Sequence, residues 1–271
     1  EILIFVFCDD IARRWAAQKK AIAKAETGLA KLIAWGEAFY AHAREHPQSI
    51  RLQVYWDFKG IDRERISEPV FSQFESLNEE LADESDDPSA VIPVDRPDVR
   101  FLYLPNPREL GMNALHLMEM ARLFFAFGES WTMSSRHTDV TNWGYFTGND
   151  ASLKKMVREK VDAAEALNIE RLVLSECGHA YKVYQKMLEE LMGRRPSFQV
   201  SSMPELLVEM ADAGKIRFDR SRNPDAIAYH DPCNIARSGW IVDQPRKIIR
   251  SFIKNFVEME PHGKYNLCCG G

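Results

Sequence analysis

Three of the chain's five cysteines fall within its last forty residues, and their spacing limits what the chain can fold into more than any other feature. Cys233 lies in Tyr229-His230-Asp231-Pro232-Cys233-Asn234, and Cys268 and Cys269 are adjacent and run into Gly270-Gly271. Thiolates are natural ligands for iron, and a vicinal Cys pair before Gly-Gly presents two sulfurs beside a backbone that can approach a cluster closely. The thirty-four residues between Cys233 and the pair leave room for a turn, a helix over Pro245-Arg246-Lys247-Ile248-Ile249 and a returning strand. One α/β unit can therefore bring all three sulfurs together. Gly270 and Gly271 fit either an ordinary tight turn or a stretch whose amide N–H groups bond cluster sulfides. Zinc also takes thiolates, but structural zinc sites usually pair cysteines at Cys-x-x-Cys spacing, which this chain lacks.

Composition narrows the class. A chain of 271 residues can bury a core and make one large or two small domains. A net charge of -5 leaves no basic surplus for phosphate backbones, so nucleic acid is excluded as a partner. Five clustered cysteines do not make a secreted disulfide framework, and a reducing compartment follows. The opening Ile2-Leu3-Ile4-Phe5-Val6-Phe7 is short, lacks a basic flank and runs into Cys8-Asp9-Asp10, which suits neither a signal peptide nor a spanning helix; a soluble chain is expected.

Apolar residues from Ile11 to Tyr40 recur mainly at helical intervals, which predicts a helix from Asp10 to about Glu45, with one buried and one solvated face. Leu52, Val54, Trp56 and Phe58 alternate with polar neighbours as in a half-buried strand. Seven acidic residues between Glu75 and Asp87, closed by Pro88, mark the best internal boundary. Beyond it short apolar runs alternate with helical ones. Strands are predicted at 99–104, 172–174, 198–200 and 226–229, and helices at 115–127, 153–167, 181–192 and 205–213, with Gly193-Arg194-Arg195-Pro196 stopping the third helix. That alternation predicts an α/β domain with a largely parallel sheet.

His-Asp-Pro-Cys followed by Cys-Cys-Gly resembles the cysteine-rich CCG domain of heterodisulfide reductase catalytic subunits and their relatives. Asp139-Val140-Thr141-Asn142-Trp143-Gly144-Tyr145-Phe146-Thr147 and the Gly-Gly after the Cys pair are most similar to the K-subunit (DsrK) family of the Dsr membrane complex of sulfur metabolism. The likeness runs from about Arg100 to Gly271. It implies a mainly helical N-terminal extension over 1–90 and, over 91–271, two Rossmann-like CCG half-domains, a worn first half at about 98–195 and a cluster-binding second half at about 196–271. The family pattern ends in a downstream Cys-x-x-Cys that would lie beyond Gly271, so a truncated second half, and a fragment, are expected.

The resemblance implies a special, noncubane-type [4Fe-4S] cluster held by Cys233, Cys268 and Cys269, which would also be the catalytic residues. Cys177, in Ser175-Glu176-Cys177-Gly178-His179-Ala180, occupies the first place of the Cys-x-x-Cys of a first motif copy, whose second place is Ala180. Ala180 and the Asn142-Trp143-Gly144 stretch supply no thiolate, so one special cluster is expected rather than two. Two readings stand for Cys177, a small packing residue or a cluster ligand; Cys8 reads as packing. His230 and His179 either tune a sulfur or are satisfied by backbone. The activity implied is an iron–sulfur oxidoreductase acting on disulfide or thiol groups. Electrons would pass between a quinone pool, through an integral cytochrome b-like partner, and a small cytoplasmic dithiol carrier of the DsrC kind. The chain would then lie on the cytoplasmic face of the membrane, and further four-iron clusters would lie outside this segment. An electron-relay subunit of a glycolate- or lactate-type oxidase and a non-enzymatic scaffold subunit are the alternatives.

Overall fold

The computed structural model describes residues 13–14, 16–25, 28–46, 78–79, 81–83, 85–106, 109, 114–139, 141–146, 148–175 and 177–268. The strand expected at 52–58, Cys8, Cys269, Gly270 and Gly271 lie outside the described residues. The chain divides into two units, one of Glu1–Leu77 with Arg108–Leu117, the other of Asn78–Pro107 with Met118–Gly271.

In the first unit the expected long helix is found in two pieces. Residues 16–22 are helical and α1 spans Gly28–Glu45. Between them the amides of Lys24 and Ala25 reach back only three residues, to Ala21 and Ile22, at 3.3 and 2.9 Å. That tightening ends a helix. The Arg14 guanidinium lies 5.5 Å from the centre of the Phe39 ring.

The second unit is α/β. Its elements are β1 (Phe101–Leu104), α2 (Ala114–Ala126, which starts in the first unit's segment), β2 (Trp131–Thr132), α3 (Thr141–Phe146), α4 (Asp150–Ala166), β3 (Arg171–Leu174), α5 (Gly178–Lys186), α6 (Leu188–Met192), β4 (Gln199–Ser202), α7 (Met203–Asp212), β5 (Ala226–Ala228), α8 (Asp243–Phe252) and β6 (Asn255–Val257). β1 to β4 form a parallel sheet in the order β2-β1-β3-β4, and β5 and β6 pair in parallel around α8.

Side chains alternate across a strand, and both faces of β1 are buried. Phe101 and Tyr103 meet Phe124 and Trp131 edge to face, with ring centres 4.9–6.4 Å apart. Leu102 and Leu104 join Leu172 and Leu174 in a core with Val157 and Val161 of α4 and Ala180, Tyr181 and Tyr184 of α5. Asn149 starts α4 by accepting the Ser152 amide at 3.0 Å, and a Ser202–Glu205 capping box starts α7.

Three details depart from the expected pattern. The helix expected over 181–192 begins earlier, at Gly178, and breaks at Met187, where φ is -115°. β2 has only two residues, and α3 carries Thr, Gly and aromatics; neither is long enough to show a period.

A candidate cluster site at the ends of the parallel strands

From β1 the chain turns toward β2 and from β3 toward β4, so the crevice beyond the carboxyl ends of β1 and β3 is where open α/β sheets place ligands. The Asn106 amide, just past β1, donates to Ser175 Oγ, just past β3, at 3.2 Å. Two residues on, Cys177 caps α5, and its Sγ accepts the Ala180 amide at 3.4 Å. Cys177 is also buried within the core around α4 and α5, so one side chain both caps the helix and packs.

The segment after Cys233 packs onto the start of α5 through two glycines. A Cβ on Gly178 would stand 2.9 Å from Asn234 Cβ, and one on Gly239 would stand 2.6 Å from the Ile235 carbonyl oxygen and 2.7 Å from the Tyr181 ring. Cys177 and Cys233 are each one residue from the Gly178–Asn234 contact, on facing segments. Gly239→Ala is expected to cost about 1–3 kcal/mol, because backbone must move to admit the methyl. Gly36→Ala, in α1 with nothing within 4 Å, is expected to be neutral or to gain up to about 1 kcal/mol. Urea midpoints of the two variants measure this contrast.

Cys233 opens a π-helical turn, Asn234–Ser238, and Asn234 Nδ2 donates to Cys233 Sγ at 3.6 Å. π turns of this kind gather at functional sites. The preceding Asp231 is 1% exposed. Its two carboxylate oxygens take both terminal nitrogens of Arg246 at 2.7 Å, and Oδ2 also accepts the Gly263 amide at 2.6 Å. Arg246 in turn grips Glu258 at 3.0 and 2.7 Å. The Asn266 side chain donates to the Asp231 carbonyl, and Arg237 donates to the carbonyls of Lys264, at 3.2 Å, and of Asn266. His230 Nε2 donates to the Leu267 carbonyl at 2.9 Å, one residue before Cys268. The backbone leading to Cys268 is thus fastened at residues 263, 264, 266 and 267 to the segment that carries Cys233.

Electrostatics hold this framework charged. Burial works to raise the Asp231 carboxyl, but the Arg246 hydrogen bonds and the Gly263 amide outweigh it, and the net shift is downward. Hydrogen bonding to Arg246 likewise holds Glu258 below the usual carboxylate range, and hydrogen bonding to Asp231 raises Arg246 further. His179, on α5, is shifted down, by burial first and then by the charge of Lys182, with Asp139 opposing. It packs against the Phe146 ring at 4.6 Å. The Asp139 amide donates to the Pro105 carbonyl at 2.8 Å, which brings the Asp139-to-Phe146 stretch back to the end of β1.

The described donors are a partial set for a cluster. Cys177 and Cys233 flank the Gly178–Asn234 contact and Cys268 follows Leu267, which His230 holds; the Cys177 and Cys233 sulfurs each accept one N–H hydrogen bond. Among the described residues no three His, Cys, Asp or Glu side chains close on a single ion. No sequence pattern pointed to the Asp231–Arg246–Glu258 chain of ion pairs. The one available signal was an Asp inside the His-Asp-Pro-Cys motif followed by an Arg on the next helix.

Residues 227–271 match the family described as CCG, cysteine-rich domain. Over that stretch the chain is similar to cysteine-rich CCG domains, and more widely to heterodisulfide reductase-like iron-sulfur subunits. It is 26% identical over 179 residues to the Hdr-like menaquinol oxidoreductase iron-sulfur subunit 2 of Archaeoglobus fulgidus, a match covering 53% of this chain and 32% of that one. It is 28% identical over 119 residues to a subunit of the dihydromethanophenazine:CoB–CoM heterodisulfide reductase of Methanosarcina mazei, covering 43% and 28%. With the EtfAB:quinone oxidoreductase of Syntrophomonas wolfei it shares 21% identity over 123 residues, covering 45% and 16%. The chain spans about a third or less of the length of these relatives. No solved structure matches it. Among the described residues no helix is long and apolar enough to cross a membrane.

Proposed function

We propose that this chain is the catalytic iron–sulfur subunit of a heterodisulfide reductase-like complex at the cytoplasmic face of a membrane. Cys233, Cys268 and Cys269 would hold one special [4Fe-4S] cluster, with Cys177, Gly270 and His230 as the further residues that would serve it. The observation that carries this reading is the fastening of the Cys268 loop to the Cys233 segment through His230, Asp231 and Arg246. A single hydrogen-bonded frame sets both cysteines, as a preorganised ligand set requires. The cluster, when bound, supplies electrons singly and an iron at which a substrate sulfur is held. Two electrons and two protons convert one disulfide into two thiols, and the reverse reaction returns them. The protein's part is positional. His230 and Asp231 fix the loop, and Cys177 is set in place as the cap of α5.

In its finer form the proposal takes the quinone pool as the electron partner, reached through an integral cytochrome b-like subunit, and a small DsrC-like dithiol carrier of dissimilatory sulfur metabolism as the sulfur partner. The relative in Archaeoglobus fulgidus named for menaquinol oxidation supports the first, and the relatives named for heterodisulfide reduction support the class of the second. The test is oxidation of the anaerobically reduced protein by a small protein carrying one disulfide, followed by absorbance in the cluster band. Full reoxidation, with two thiols appearing per disulfide, is expected. Reoxidation by ferricyanide alone would make the chain an electron relay.

A further inference from the structure

Beside the Cys233 and Cys268 segments the surface carries three large apolar side chains in the open: Trp240 at 65% exposure, Tyr265 at 72% and Leu267 at 70%. Trp240 also has φ +61°, a left-handed conformation that bulky residues rarely adopt. The fold accepts this strain without burying the indole in return. Lys264 bridges the group, its ammonium 5.8 Å from the centre of the Trp240 ring and 5.1 Å from that of Tyr265.

The charges here are unanswered. Among the described residues Lys264 and Arg237 have no carboxylate partner; Arg237 bonds only to the carbonyls of Lys264 and Asn266 and to the Asn266 side-chain oxygen. Of the acids preceding Lys264, Glu258 is engaged with Arg246 and Arg250, and Glu260 lies 3.5 Å from His262. On a chain of net charge -5, a cationic rim edged with aromatics is an exception.

We propose that Trp240, Lys264, Tyr265 and Leu267, with Arg237, form a docking surface for an acidic segment of a partner protein. Carboxylates on that segment answer Lys264 and Arg237, and its apolar side chains cover the rings, as exposed aromatic and Arg residues do at the centres of protein interfaces. A small inorganic anion would satisfy the two cations and leave three large apolar side chains in water. The inference rests on exposure, strain and charge and stands apart from the redox reading.

The test uses the full chain and a dansylated peptide of repeating Glu-Leu-Asp-Phe units, with a Lys-for-acid version as control. Inorganic pyrophosphate and phosphatidylglycerol vesicles serve as competitors. The acidic peptide is expected to bind more tightly as salt is lowered, the basic one not at all, and neither competitor to displace it. Lys264→Glu should weaken binding by about tenfold or more. Trp240→Gly should weaken it comparably while the melting temperature holds or rises by about a few degrees, because glycine adopts the left-handed conformation without strain. No binding of the acidic peptide, equal binding by Lys264→Glu, or displacement by pyrophosphate or vesicles would overturn the proposal. So would a lower melting temperature for Trp240→Gly, which would make Trp240 a packing residue.

Discussion

Arg246→Ala is expected to destabilise the second unit by about 3–5 kcal/mol, the usual cost of stranding a buried charge. The Arg246 side chain is 7% exposed and Asp231 1%, so water cannot replace the lost guanidinium without opening the loop. Arg246→Lys keeps the charge but cannot bond both Asp231 oxygens and both Glu258 oxygens at once, and should fall between the two. Glu258→Gln removes a half-exposed partner and should cost about 1 kcal/mol or less. Guanidinium denaturation at neutral pH measures all three. The pH dependence has a definite sign. The folded-state pKa of Asp231 is lowered, so its contribution is complete above the unfolded carboxylate value, about 3.9, and is lost as pH falls through the lower folded value. Arg246→Ala should therefore flatten the acid limb of the stability curve as well as lower its plateau.

The second large effect is on the cluster. Cys268 is exposed and lies outside the core, so Cys268→Ser should abolish the cluster while leaving the urea midpoint of the cluster-free protein within about 0.5 kcal/mol of wild type. Cys233→Ser should do the same, with a small added cost from the π turn it opens. Cys177→Ser differs. Its sulfur caps α5 and is packed among Leu172, Ala180 and Ile235, so the variant should lose stability by about 1 kcal/mol and shift the electron paramagnetic resonance signal without removing the iron. An unshifted signal would leave Cys177 a core residue.

Much of this was legible in the sequence for a physical reason. β3 is a short apolar run and α4, α7 and α8 carry helical apolar spacing, so their existence and order could be read directly. The site was legible only as chemistry. Thiol spacing pointed to Cys233, Cys268 and Cys269, but what fixes two of those segments is polar and distant in sequence. Asp231 and Arg246 are fifteen residues apart and His230 and Leu267 thirty-seven, and no local pattern couples them. The left-handed Trp240 was equally hidden, because only the backbone shows that a bulky residue occupies a conformation suited to glycine. The break at Met187 left no signal either, since Met-Leu-Glu-Glu-Leu continues a good helical sequence.

Iron and acid-labile sulfide content, read together with the electron paramagnetic resonance spectrum of the anaerobically purified chain, tests the central claim most directly. One special cluster predicts about four irons and about four sulfides per chain, with a signal that disappears in Cys233→Ser, Cys268→Ser and Cys269→Ser. A stoichiometric zinc ion, a metal-free chain, or a full signal surviving loss of any of these three cysteines would contradict it.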